Sequence, residues 1–259
     1  MNEPEYEYRG LMAATWDLFR GDTSRWGDRP RYRELIEHHG QPALDVGCGT
    51  GRLLLDYLAE GLDVEGVDNS PEMLALCRAK AEQRGLRPTL YEQAIERLDL
   101  PRRYGTILIP SSTFQLLTDP EQARVAMRRC FDHLLPGGAL AMSIMVLWRE
   151  GAPLEPGWAP RGEMVRPQDG ALVRRWSRAR YEPAAQLEHT EDRYEVVRDG
   201  EVIAVEEHRR SPATRWYTHD QVRDLYAAAG FVDVQVFREW SHHPASPQDP
   251  VILAVGAKP

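Results

Sequence analysis

The stretch Leu44-Asp45-Val46-Gly47-Cys48-Gly49-Thr50-Gly51-Arg52 sets glycines at alternate positions between a short apolar run and the start of a helical one. Glycine tolerates positive φ and leaves no side chain between backbone and ligand. Free amides at the N-terminus of a following helix suit a polar or anionic group. A second apolar run closes on Gly66-Val67-Asp68, and an acid at that place can accept hydrogen bonds from both hydroxyls of a ribose. The dinucleotide pattern G-x-G-x-x-G is not present, nor is the G-x-x-x-x-G-K-[ST] loop that grips a triphosphate. These residues therefore point to a ribose-containing ligand across the strand tips, with pyrophosphate poorly provided for. A tight strand–helix junction without a ligand is the competing reading of the glycines alone.

Other residues could face the same crevice, because ligands of open α/β sheets lie outside the carboxyl ends of the strands. Ile109-Pro110-Ser111-Ser112-Thr113-Phe114-Gln115 follows an apolar strand, and its hydroxyls and amide could orient a substrate or simply cap the local turn. His208 and His219 are the best-placed histidines for handling a proton, with Gln115 as a third catalytic candidate; no catalytic residue is assigned with certainty. Cys48, Cys77 and Cys130 form no close metal-binding spacing, and an odd count argues against a secreted disulfide framework. No metal is expected.

The elements that must position these residues alternate regularly. Strands are predicted at 43–46, 62–67, 88–91, 106–109 and 139–146, separated by helices at 52–59, 71–84 and 120–135, with Ser70 as a cap and Pro71 at the first helical position. Strands separated by helices of this size imply parallel crossover units and a three-layer α/β domain. Ahead of it, helices are expected at 11–19 and from Pro30 to Gly40. After Trp148 the pattern changes. Residues 150–170 read as a Gly- and Pro-rich loop, followed by strand-like stretches at 171–181, 186–197 and 201–209, with Asp199-Gly200 as a hairpin turn. Strand–helix order resumes with a helix at 220–229, capped by Thr218 and ended by Gly230, and strands at 231–237 and 251–255. The expected division is a helical cap at 1–40, an α/β core at 41–149 and 211–259, and an antiparallel insertion at 150–210.

Leu44 to Gly51 resembles the first motif of class I S-adenosylmethionine (SAM)-dependent methyltransferases, and Gly66-Val67-Asp68-Asn69-Ser70-Pro71-Glu72-Met73-Leu74 resembles their second-strand motif. Pro136-Gly137-Gly138 before an apolar strand is similar to a recurring element of that family. The likeness covers about residues 40–148 well. It implies a Rossmann-like fold with a seven-stranded, mostly parallel sheet whose seventh strand is antiparallel between the fifth and sixth. By this resemblance Gly47, Cys48, Gly49 and Gly51 form the turn against the methionine part of SAM, and Asp45 helps to hold its amino group. Asp68 holds the ribose, Asn69 and Met73 lie near the adenine, and Ile109 and Pro110 border the cofactor. Glu92-Gln93-Ala94 falls where relatives carry an acid and then a small residue against adenine; here either Glu92 or Gln93 could accept the adenine amino proton.

The insertion resembles the antiparallel lid of small-metabolite methyltransferases, including glycine-type and amino-sugar N-methyltransferases. Period-two alternation puts Arg174, Trp176 and Arg178 on one face and Arg175 on the other; that Trp–Arg face could meet an aromatic or anionic acceptor, or be the ordinary back of a sheet. Tyr8, Trp16 and Tyr32 are candidates to close the pocket, with Ser111, Ser112, Phe114 and Trp216 along its rim. The reaction implied is direct in-line displacement on a sulfonium, in which orientation and exclusion of water do much of the work. An amine acceptor needs no dedicated base, so N-transfer is favoured over O-transfer. A non-catalytic SAM-binding protein, or another enzyme class using SAM or a nucleoside ligand on this fold, are the alternatives.

The chain carries 40 acidic and 32 basic residues, a formal charge of −8, which repels a phosphate backbone on average. Nucleic acid is therefore not expected as a partner; a small-molecule acceptor is. The N-terminus shows no basic segment followed by an apolar run, and no stretch approaches a membrane span. The expectation is a cytoplasmic monomer or homodimer without membrane attachment.

Overall fold

A computed structural model describes residues 8–259. Two compact units divide the chain: the described residues up to Arg25 together with Leu147–Arg215, and a core of Trp26–Val146 with Trp216–Pro259. The first helical segment of the chain thus groups with the insertion, whereas the helix that follows it belongs to the core.

The core is built on one sheet. Its strands are β1 (Ala43–Val46), β2 (Val64–Asp68), β3 (Leu90–Glu92), β4 (Tyr104–Ile109) and β5 (Leu134–Met145), with β10 (Val232–Arg238) and β11 (Val251–Ala257) from the C-terminal part. The order is β10-β11-β5-β4-β1-β2-β3. All pairs among the first five are parallel, and β11 lies antiparallel between β5 and β10. This is the Rossmann-like seven-stranded arrangement expected from the motifs.

Six core strand residues illustrate why the sheet is covered on both sides. Leu44, Ile107 and Ile252 pack into one apolar cluster with helices α6 (Pro120–His133) and α7 (His219–Ala229). Ala43, Leu108 and Leu253 pack into another with α3 (Asp28–His39), α4 (Leu54–Ala59) and α5 (Pro71–Gln83). Parallel strands buried on both faces need such continuous apolar runs. Local chemistry sets the helix starts: Ser70 Oγ accepts from Met73 N ahead of Pro71, and Asp119 accepts from Glu121 N ahead of Pro120. Thr218 and Gln221 form a reciprocal capping box, and Gly230 ends α7 in the left-handed region.

The insertion unit contains a second sheet, β6 (Ala159–Val165), β7 (Leu172–Glu182), β8 (Leu187–Arg198) and β9 (Glu201–Arg215), ordered β6-β7-β8-β9 and antiparallel throughout. Strand β6 falls inside the stretch read from sequence as loop: Pro160 and Gly162 obscured its composition, and a register irregularity between them accommodates both. Asp199 and Gly200 both have positive φ, as a two-residue hairpin requires. The helix expected at 11–19 is two short ones, α1 (Gly10–Ala14) and α2 (Trp16–Arg20), broken at Thr15. One face of the sheet, through Val173, Tyr194 and Val196, packs with Met12, Leu11 and Phe19 in a small apolar cluster. Among the described residues, no helix is long and apolar enough to cross a membrane.

Candidate active site

The core motifs converge at the carboxyl ends of the parallel strands. The turn after β1 holds Gly47, Gly49 and Gly51 at φ +70°, +55° and +83°, conformations that L side chains rarely adopt. Their surroundings differ. A Cβ on Gly51 would lie 2.6 Å from Cys77 Sγ and 2.7 Å from Leu55 Cγ, so this glycine lets α4 and α5 approach. On Gly49 a Cβ would meet the flexible end of Met73 at 3.2 Å and, at ordinary contact distance, Gly47 O at 3.9 Å. The middle of the turn therefore presents bare backbone.

Asp68, at the end of β2, reaches that backbone directly. Its Oδ2 accepts from Gly49 N at 2.9 Å and its Oδ1 from Ser70 N at 2.9 Å. Burial raises its pKa, and the backbone donors of Ser70, Gly49 and Asn69 oppose the rise. A carboxylate has about four lone-pair sites, so acceptor capacity for a hydroxyl remains beside these donors. Asp45 is buried as well, and Oδ1 has no hydrogen-bond partner. Desolvation pushes its carboxyl up to about 7, against the opposing pull of Arg52.

The remaining residues fall around these two acids in chain order. Asn69 is exposed and Met73 buried; Glu92 is exposed, Gln93 and Ala94 half-buried, and Ile109 and Pro110 buried. Gln93 N donates to Asp68 O, which ties the tip of β3 to that of β2. The Gln93 side chain accepts from Asp99 N and donates to Asp99 O, so both ends of its amide are engaged by backbone. Among the described residues, none ties the exposed Glu92 carboxylate in this way. At the tip of β4, Ser111 holds a positive φ of 58°, and its carbonyl accepts from Ser143 Oγ at 2.6 Å. This strained, pinned residue lies next to half-buried Ser112.

Several candidates named from sequence are occupied by structural work. Gln115 donates to Met145 O at 3.0 Å and accepts from Met145 N at 2.7 Å, clasping the end of β5. Phe114 is fully buried against Tyr217, and Tyr32 is fully buried beside Trp240. Trp216 is buried. His219 opens α7, and partial burial lowers its pKa. In the insertion unit, His208 contacts Glu206, whose carboxylate also accepts from Leu11 N. Tyr8 and Trp16 pack edge to face with centroids 4.7 Å apart, and Arg20 covers the Trp16 ring.

The two faces of the insertion sheet have different contents. Arg175 pairs with Asp192 and lies over Tyr194, on the apolar side. The opposite face carries a depression of about 440 Å³ bordered by Trp158, Trp176, Arg178, Arg193, Glu207 and Arg209. Here Arg178 bonds Glu191 and covers Trp158 at 5.0 Å, while Arg174 forms an ion pair with Glu163. Sequence reasoning missed Trp158 as a partner of Arg178, because it stands in the stretch read as loop. Among the described residues, no group of three or more His, Cys, Asp or Glu could hold a metal.

Comparison with known proteins agrees with this geometry. Residues 43–138 match the family described as "Methyltransferase domain". The dTDP-3-amino-3,6-dideoxy-alpha-D-glucopyranose N,N-dimethyltransferase of Streptomyces fradiae is 27% identical over 88% of this chain and 86% of its own length. The demethylmenaquinone methyltransferase of Thermus thermophilus is 34% identical over 51% of the chain and 61% of its own length. Other relatives are spanned over less still, 40% for a ubiquinone biosynthesis O-methyltransferase of Psychrobacter cryohalolentis. A solved SAM-dependent methyltransferase of Clostridium acetobutylicum superposes with a TM-score of 0.75 at 19% identity, over 96% of this chain and 97% of that one. Residues 43–138 thus carry a methyltransferase domain, and the sheet order and coverage give the chain the fold of that solved SAM-dependent methyltransferase. The residues at the strand tips fit SAM: bare backbone at Gly49, a carboxylate with acceptor capacity left, and a buried acid with an unsatisfied oxygen.

Proposed function

We propose that this chain transfers a methyl group from SAM to an amine nitrogen of a small molecule, of which an amino sugar is the leading class. The observation that carries the reading is the 2.9 Å contact between Gly49 N and Asp68, which sets a hydroxyl-accepting acid beside backbone with no side chain over it. When bound, SAM supplies a methyl group on a sulfonium, so the chain has to orient and desolvate rather than generate a nucleophile. In this reading Asp68 holds the ribose and Glu92, rather than Gln93, accepts the adenine amino proton, because the Gln93 amide is committed to Asp99. Asp45 offers its unsatisfied oxygen to the ammonium end.

The amine preference has two supports. The Streptomyces fradiae relative acts on an amino sugar, as its name states, and it is matched over 88% of this chain. Of the catalytic candidates, Gln115 clasps Met145 and His208 contacts Glu206, so neither is set to deprotonate a hydroxyl acceptor. An amine that arrives neutral needs no such base. The Trp176 and Arg178 face is assigned to acceptor recognition, where an aromatic base or a phosphate would find a partner. The test is incubation with SAM and a panel of nucleotide-linked amino sugars, simple amines and phenols, read by mass spectrometry. Mass gain on amines alone is expected; gain on phenols alone would overturn the nitrogen assignment.

A further inference from the structure

The first glycine of the turn leads to a hydroxyl that the cofactor reading leaves unused. A Cβ on Gly47 would lie 2.4 Å from Thr113 Cγ2 and 2.6 Å from its Oγ1. Only glycine fits there without moving Thr113, so the Thr113 side chain rests directly on the turn. Thr113 opens the single helical turn Thr113–Leu116 after β4, and the chain around it is fixed. The Ser111 carbonyl is held by Ser143, Phe114 is buried against Tyr217, and Gln115 clasps Met145 through both ends of its amide. A side chain on so constrained a segment loses little freedom when a ligand meets it. Thr113 is itself half-buried, and among the described residues none hydrogen-bonds its hydroxyl.

Other donors around the turn are committed. Gly47 N and Cys48 N both donate to Val67 O, Gly49 N donates to Asp68, and Gly51 N to Cys48 O. These four amides are spent within the protein. Arg52, the next residue, grips Asp28 with both terminal nitrogens, and Lys80 Nζ donates to Thr50 Oγ1 at 3.0 Å. Asp45 keeps an oxygen without a partner, which suits the ammonium of the amino-acid end of SAM. The carboxylate on the same carbon has the opposite need, because a carboxylate taken out of water requires donors in return. Asp45 and the glycine beneath Thr113 stand two positions apart in the chain, so an acceptor for the one group lies beside a donor for the other.

Resting on the cofactor reading above, we propose that Thr113 is a cofactor-binding residue: its hydroxyl donates to the carboxylate of the amino-acid end, while Asp45 takes the ammonium. The methyl group of Thr113, seated on Gly47, limits the side chain to few rotamers and so holds the hydroxyl in place.

The experiment measures calorimetric binding of two probes to the full chain, S-adenosylhomocysteine and its decarboxylated form. The natural chain should bind the decarboxylated form about tenfold less tightly, the loss of a hydrogen bond to a charged group. Thr113→Val keeps the shape that rests on Gly47 and removes the hydroxyl. It should weaken S-adenosylhomocysteine about tenfold and leave the decarboxylated form within about twofold, because hydroxyl and carboxylate act as one coupled pair. Thr113→Ser, which keeps the hydroxyl, should bind S-adenosylhomocysteine within about threefold of the natural chain. If Thr113→Val does not fold, Thr113→Ala carries the same expectations. Equal losses on the two probes would mark a packing role and overturn the proposal. It would equally be overturned by a Thr113→Val chain that loses nothing, or by a natural chain that binds both probes alike. Each of these outcomes leaves the cofactor reading intact, whereas a natural chain that does not bind S-adenosylhomocysteine would end both.

Discussion

The seven-stranded sheet of the core and the four-stranded sheet of the insertion are held in register by different forces. In the core, the inner strands β1, β2, β4 and β11 are buried on both faces, and a one-residue slip there would expose a whole row of apolar side chains. In the insertion one face packs on a small cluster around Val173, Tyr194 and Val196. The other is a ladder of opposite charges, with Arg178 against Glu191, Glu191 against Arg209, and Arg193 against Glu207. Cross-strand pairs of this kind contribute roughly 0.2–1 kcal/mol each. The core sheet buries its side chains and offers backbone and two acids at its strand tips. The insertion sheet offers side chains along a face that tolerates exchange. In the function proposed above, the first sheet carries the cofactor residues and the second the acceptor residues.

The comparison breaks first on stability. Leu140→Ala, at a fully buried position of β5, is expected to cost about 3 kcal/mol in urea unfolding, within the range for buried leucine truncations. A cost below about 1 kcal/mol would mean that core burial does not dominate. It is sharpened next on binding: Asp68→Ala should weaken S-adenosylhomocysteine binding about 100-fold, the loss of two hydrogen bonds to a charged acceptor. Trp176→Ala should leave that affinity within about twofold. Equal effects of the two substitutions on calorimetric affinity would erase the division of labour.

A third expectation concerns the cost of the site itself. The unfolded Asp45 carboxyl titrates near its ordinary value, whereas in the fold it is pushed up to about 7. The folded chain therefore holds the extra proton between those values, and stability falls as pH rises through that window. The full cost is present above about pH 7. Asp45→Asn should raise the thermal midpoint of the ligand-free chain at pH 8, by a free energy of at least about 1 kcal/mol, with little gain near pH 4. A midpoint at pH 8 that is unchanged or lowered would contradict the buried-charge account. The smallest effect is expected on the charged face: Arg178→Ala should change stability by only about 0.5 kcal/mol, although acceptor turnover should fall. A loss as large as that of Leu140→Ala would show that this face is structural.

Legibility from sequence followed the same division. The strands β1, β2 and β4 announce themselves as apolar runs, and the helix starts at Ser70 and Thr218 carry their caps in the sequence. The glycine turn is readable because positive φ dictates residue type there, and Asp68 because it closes the second strand. Strand β6 was not, because Pro160 and Gly162 sit within it and only pairing with β7 reveals it as a strand. Thr15, which divides α1 from α2, bonds back to Leu11 O, a competition that no periodicity displays. The commitment of Gln115 to Met145 joins residues thirty apart in the chain, and the pairing of Arg52 with Asp28 crosses a similar distance. Side-chain partnerships of this range leave no mark on local spacing.

The three thiols of the chain, Cys48, Cys77 and Cys130, are all buried, and burial raises the pKa of each. Thiolate, the form that reacts with maleimides and iodoacetamides, is suppressed at all three. A single cysteine introduced at an exposed hairpin position such as Glu201 would then take a fluorophore alone, without stripping the native thiols first. That makes the hairpin a ready attachment point for following the insertion by fluorescence as acceptor and donor are added.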